Sequence, residues 1–348
     1  MRVPAAGSES AGTGSPRDGR TYPADMRIPN EETDAQLVVR AVQAGADVVA
    51  DMFGASVARF GKSAGDFATA TDLAAEKAIL DVLRTARPDD AVTGEESGRT
   101  GADDAQRRWL VDPLCGTLNH AAHTMLVAVN AALRVGPAVT AAATADPFSG
   151  EVFWTDGEQA RVRRGGVDEA LAPSPGSRLV DINLDPPFPN APGFRAARLL
   201  TAPGFTERFR PRVVSTTLAV AWVAAGRRAA YVTDGHLRDS VHFTAGIALC
   251  EAAGCVVTGI HGQPLHTGAG GLVVAADRQT HAALLEMIGD QIPAGRQAGA
   301  DRPSGSRPGN DIAEADVQQR PPAGSPGTGR PSSGRMPSAS GPGLNPRC

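Results

Sequence analysis

Two stretches near the start of the chain repeat apolar residues at helical spacing. In AQLVVRAVQAGADVVADMFG the stripe is Leu37, Val38, Ala41, Val42, Val48, Val49 and Met52, with Gly45 in line, and in TDLAAEKAILDVLRTA it runs through Leu73, Ile79, Val82 and Leu83. Both predict amphipathic helices. The pattern then shortens to runs that suit strands: AVTG, WLVD, MLVAVNAALRVG, AVTAAATADP and GEVFWT, separated by turn residues and consistent with a meander. Residues 165 to 212 are rich in proline and carry no clear period. Helical spacing returns in STTLAVAWVAAGRR, FTAGIALCEAAG and DRQTHAALLEMIG, the last two ended by Gly254 and Gly289, with strands predicted at AAYVT, CVVT and LVVAA. No internal repeat is present. The pattern predicts an α/β fold in which helices are layered on two sheets, over residues 29 to 290.

The two ends read differently. Residues 1 to 28 are polar and rich in Gly and Ser, and residues 291 to 348 are roughly one third Gly plus Pro with no aromatic residue, so neither is expected to bury enough surface to order itself. The 348 residues are 41% apolar, which suffices for a substantial core in the part between. A net charge of −4 without a basic cluster argues against a nucleic-acid partner, and no apolar run approaches the roughly 20 residues that span a bilayer, so no membrane partner is expected. The N-terminal residues lack the apolar centre of a secretory signal, which points to the cytoplasm. Cys115, Cys250, Cys255 and Cys348 show no metal-type C-x-x-C spacing and are expected as free thiols.

Four polar clusters fall where the predicted elements end: GDFATATD (65 to 72), TGEES (93 to 97), VDPLCGT (111 to 117) and DSVHFTAG (239 to 246). Asp66, Glu95, Glu96 and Asp112 bring carboxylates beside short strands, with no Lys or Arg next to them in sequence, which is the chemistry a hard divalent cation requires. Taken singly each has an ordinary reading. Glu95 and Glu96 suit an exposed loop, Asp66 or Asp72 a helix N-cap, Asp112 a turn opener before Pro113, and His242 a helix start.

Their order and spacing say more. DFATATD, GEES, DPLCGT and VHFTAG resemble, in the same order, the four motifs of the inositol monophosphatase family, and EAAGCVV and GQPL extend the resemblance over nearly all of residues 29 to 290. The resemblance implies an alternating αβαβα sandwich and Mg²⁺-assisted hydrolysis of the phosphomonoester of a small polyol or sugar, as well as a homodimer. By the same resemblance Glu95, Asp112 and the Leu114 carbonyl hold a first metal, Thr117 orients the attacking water, and Asp66 is the hydrogen-bonded partner of Thr117. The amides of Gly116 and Thr117 cradle phosphate oxygens, and Glu96 plays a supporting part. Ser215 or Thr216 is expected near the substrate.

The resemblance breaks at one ion. Where the family has two further Asp ligands for a second metal, this chain has Cys115 and His242, and Val241 replaces the neighbouring Trp. Sulfur and imidazole are poor partners for Mg²⁺. Three readings follow: a mixed site of Asp112, Cys115 and His242 that suits Mn²⁺, Zn²⁺ or Fe²⁺; an enzyme running on the first metal alone; or a non-catalytic module that binds a sugar phosphate. A nucleophilic Cys115 activated by His242 is a fourth reading, and it would leave Thr117 and Asp66 without a purpose. HGQPLH (261 to 266) is expected as a strand, a turn and a strand.

Overall fold

The computed structural model describes residues 32–55, 59–63, 66–185 and 196–291. The expected extension 1–28 and the tail beyond Gln291 lie outside the described residues. The chain begins with α1 (Asp34–Asp51), a hairpin of β1 (Arg59–Ser63) and β2 (Asp66–Thr69), and α2 (Ala70–Ala86). Next come β3 (Ala91–Gly94), β4 (Gly98–Thr100), β5 (Arg107–Cys115) and the short α3 (Thr117–Ala121). A meander follows: β6 (Ala128–Val135), β7 (Ala138–Ala145), β8 (Val152–Thr155), β9 (Ala160–Arg164) and β10 (Val167–Ala170). The rest is β11 (Leu179–Ile182), α4 (Ala196–Leu199), α5 (Phe205–Arg208), β12 (Arg210–Val213), α6 (Leu218–Ala224), β13 (Ala230–Thr233), α7 (Thr244–Ala252), β14 (Val256–Thr258), β15 (Leu272–Ala275) and α8 (Arg278–Gly289).

Capping boxes open the first two helices. Thr33 with Gln36, and Thr69 with Asp72, each satisfy amide groups that a helix start leaves unpaired. Asp72 is therefore the third residue of α2, not its N-cap. Gly45 lets α1 and α2 approach closely, because a Cβ there would sit 2.7 Å from the Ile79 side chain.

Eight strands form one sheet in the order β10-β9-β8-β7-β6-β5-β3-β4, antiparallel except where β3 pairs with β5. A second sheet runs β12-β11-β13-β15-β14. Alternation along the strands distributes side chains to the layers on either side. On β6, Val129, Ala131 and Leu133 join the core under α1 and α2, while Ala128 and Ala132 face α6 and α7. On β15, Leu272 and Val274 pack with α6 and α7, while Val273 and Ala275 pack with α8. The result is five layers, helix, sheet, helix, sheet, helix, as expected. Trp109, Phe153, Leu37 and Ile79 are fully buried, each side chain contributing roughly 1.5–3 kcal/mol or more of hydrophobic stabilisation.

Three details depart from the sequence reading. The described residues of the proline-rich stretch 165–212 are less irregular than expected and hold the four-residue elements β10, β11, α4 and α5 and the start of β12. HGQPLH contains no strand; the chain turns there around Gln263, whose side chain accepts from the His261 amide and donates to the carbonyls of Thr267 and Gly270. The hairpin β1/β2 and the short helix α3 had no counterpart in the pattern. No helix among the described residues is long and apolar enough to cross a membrane.

Candidate active site

The site forms where β5 ends. Its pairing with β6 is regular up to Asp112 opposite Asn130 and resumes at Cys115 opposite Ala128, so Pro113 and Leu114 lie in an irregularity that bends the strand end. Asp112 is fully buried. Its Oδ1 accepts the Leu114 amide at 3.1 Å, and its Oδ2 accepts from Asn130 Nδ2 at 3.3 Å and from His242 Nδ1 at 2.8 Å. Gly116 follows with φ +106°, a conformation that favours glycine, and a Cβ there would stand 2.8 Å from the Leu126 carbonyl oxygen and 3.3 Å from that of Ser215. Asn119 holds those two carbonyls together, its Nδ2 donating to each at 2.8 Å.

Thr117 opens α3. Its hydroxyl reaches Asp72 Oδ1 at 2.9 Å and the Leu114 carbonyl at 3.2 Å. The expected partner was Asp66, and this is a correction. DFATATD carries two Asp residues, and α2 turns the second inward, where Asp72 is fully buried and its Oδ2 accepts from the Thr69 amide at 2.8 Å and the Thr69 hydroxyl at 2.5 Å. Asp66 lies in β2, and its side chain is outside the described residues.

Glu95 sits in the turn after β3, its amide donating to the Val111 carbonyl at 3.0 Å. Its carboxyl group also helps to hold the Asp112 pKa down. Glu96 is tied to the site through its backbone, its amide donating to Glu76. Cys115 Sγ accepts the Thr217 amide at 3.3 Å. Donor atoms of Asp112, Cys115 and His242 lie within 4.8 Å of one another.

Electrostatics tighten this trio. Burial alone would raise the Asp112 pKa, but the charge of His242 and its hydrogen bond hold it below the usual carboxylate value. Burial alone would lower His242, but the Asp112 carboxylate wins and raises it well above the ordinary histidine value. Burial, then the negative Asp112, raises the Cys115 thiol. A protonated thiol is a poor nucleophile, which weighs against the nucleophilic reading of Cys115.

The donors divide into two sets. Glu95, Asp112 and the Leu114 carbonyl are all oxygen and fit a hard divalent cation such as Mg²⁺. Asp112, Cys115 and His242 offer one oxygen, one sulfur and one nitrogen, a set that does not fit Mg²⁺ and suits a softer divalent ion.

Sequence reasoning missed Asn130, Asp72 as the threonine partner, and Glu76. Asn130 is fully buried, its Nδ2 also donating to the Thr217 hydroxyl at 2.8 Å and its Oδ1 accepting from Thr144 at 2.8 Å. The signal was a lone amide inside the apolar run MLVAVNAALRVG. Ser215, whose carbonyl borders the Gly116 turn, has its hydroxyl on Asp185, whereas Thr216 is buried.

A five-layer αβαβα fold thus gathers carboxylates, a glycine turn and a buried Asp-Thr pair at one strand end. The family model of the inositol monophosphatase family matches residues 30–292, and the chain belongs to that family. It is 30% identical over 239 residues to an inositol-1-monophosphatase of Caulobacter vibrioides, covering 65% of this chain and 89% of the relative. It is 31% identical over 261 residues to the Nus factor SuhB of Salmonella typhimurium, covering 72% of this chain and 94% of the relative. In fold it is similar to the crystal structure of the extragenic suppressor protein SuhB from Bartonella henselae, with a TM-score of 0.64 at 24% identity over 72% of this chain and 96% of that one.

Proposed function

We propose that this protein is a metal-dependent phosphomonoesterase acting on a small polyol or sugar phosphate. The observation that carries the reading is the Thr117 hydroxyl held by buried Asp72 beside the Leu114 carbonyl and the Gly116 turn. A hydroxyl that gives its proton to Asp72 keeps its lone pairs for a water proton, so Thr117 orients a water toward phosphorus while Asp72 fixes the direction. Gly116 has no side chain to screen its own amide or that of Thr117, and both donate to phosphate oxygens. Glu95, Asp112 and the Leu114 carbonyl would hold Mg²⁺, and Asp112, Cys115 and His242 would hold Mn²⁺ or Zn²⁺. Cations held by these residues would supply neutralisation of phosphate charge and a lowered pKa for the attacking water. Glu96 supports the Glu95 turn through its backbone.

Positioning and charge neutralisation are most of what phosphate transfer to water requires, so no side-chain nucleophile is needed. One observation favours a second reading. His242 and Asp112 already close on each other at 2.8 Å, as they would in a sugar-phosphate-binding module that has given up its second metal. The two readings separate in one assay. Metal-stripped protein reloaded with Mg²⁺, Mn²⁺ or Zn²⁺ is given inositol 1-phosphate and other polyol phosphates, with Glu95→Gln beside it. Phosphate release that Glu95→Gln abolishes supports the enzyme; binding of those phosphates without release under any metal supports the module.

A further inference from the structure

Glu76 lies one helical turn after Asp72 on α2 and is 3% exposed. Buried carboxylates need compensation. This one finds it in two consecutive backbone amides, Oε2 accepting from Glu96 and Oε1 from Ser97, each at 2.8 Å. With the Glu95 amide on Val111, three successive amides of the turn are fixed from two sides, by β5 and by α2. Gly94 makes room for the arrangement, since a Cβ there would stand 2.8 Å from the Glu76 carboxylate. The backbone of this turn decides where Glu95 points, and Glu95 has to meet Asp112 across the site.

From this geometry we propose that Glu76 is a positioning residue for the first metal. It touches neither metal nor substrate and sets the cation affinity by holding the turn that aims Glu95. The inference rests on the reading of Glu95 and Asp112 as ligands. One side of α2 then serves both halves of the chemistry, Asp72 directing Thr117 and Glu76 directing Glu95.

Two variants test it by different routes. Glu76→Gln keeps the shape but turns an N–H toward one of the two amides, so one hydrogen bond is replaced by a clash of donors. Gly94→Ala leaves Glu76 in place and presses a Cβ against its carboxylate at 2.8 Å and against the Ser97 hydroxyl of the same turn at 2.6 Å. Mg²⁺ is titrated calorimetrically into the full-length chain, alongside thermal melting of the metal-free protein. In both variants Mg²⁺ binding should weaken about 10- to 100-fold, as when support behind a ligand is removed. At saturating Mg²⁺, kcat should stay within about threefold of wild type, because the residues around the reacting atoms are unchanged. Glu151→Gln is the control for a merely structural carboxylate, since Glu151 is held by Arg164 and Arg227, and it should leave Mg²⁺ affinity unaltered.

Unchanged Mg²⁺ affinity in folded Glu76→Gln and Gly94→Ala overturns the proposal, as does an equal loss in Glu151→Gln. If Glu76→Gln fails to fold, Gly94→Ala decides alone. A wild type that binds Mg²⁺ in the expected way but releases no phosphate sinks the proposed activity and leaves the role of Glu76 standing. A wild type that binds no Mg²⁺ overturns both.

Discussion

The two halves of the site share Asp112 and differ in almost everything else. On one side, Glu95, the Leu114 carbonyl, Thr117 and Asp72 are oxygen groups brought in by β3, β5, α3 and α2, and each is fixed by a second element. On the other, Cys115 and His242 rest directly against Asp112 and Thr217, in a compact cluster of acid, imidazole and thiol. In the second half the charge of His242 and its hydrogen bond hold the Asp112 carboxyl below its usual value, and Asp112 in turn raises His242. One half depends on separate elements for its position, while in the other an acid and an imidazole hold each other directly.

The comparison can be broken most directly at Thr117. If the oxygen half carries the chemistry, Thr117→Ala should lower kcat by about 10²–10⁴-fold, in line with losing a group that handles a proton of the nucleophile. Steady-state phosphate release at saturating metal checks this, and an unchanged kcat would mean that the water is directed by some other group.

A smaller effect is expected from restoring the missing carboxylates. Cys115→Asp combined with His242→Asp should tighten Mg²⁺ binding at the second site by about 100-fold and move metal preference toward Mg²⁺ and away from Zn²⁺. The same change crowds new negative charge beside Asp112, so the metal-free double variant should melt below wild type and regain its stability with Mg²⁺. Calorimetry and melting curves with and without metal measure both, and an unchanged metal preference would show that Cys115 and His242 do not ligate.

Asn130 underlies both halves, touching Asp112, Thr144 and Thr217. Asn130→Ala should cost about 2 kcal/mol, since it leaves buried polar partners unsatisfied. Denaturant unfolding tests that value. A loss confined to activity, with no change in stability, would make Asn130 part of the chemistry instead of the scaffold.

Much of the architecture was legible because burial imposes periods. The stripes of α1 and α2, the strands of the meander and the helix ends at Gly254 and Gly289 all appear where the pattern put them. The elements β11 and β12 escaped because they are four residues long within a proline-rich stretch, without the continuous apolar run that marks β13 or β15. Asp112 and Cys115 come together with His242, far from them in sequence, at the end of β5, and Thr117 follows there on α3.

The choice between Asp66 and Asp72 shows the limit. Both are Asp in one short motif, and spacing alone does not say which faces Thr117 from 45 residues or more away. The capping box of α2 settles it by burying Asp72 as the third helical residue. Glu76 was hidden for the same reason: its partners are backbone amides, which every residue has and no sequence motif marks. Which side chains offer donors for a cation or a phosphate, and which faces must be buried, follow from residue order, because composition and period are local. Which carboxylate holds the threonine, which one holds the turn, and how Cys115 and His242 close on Asp112 depend on directions fixed when separate layers pack.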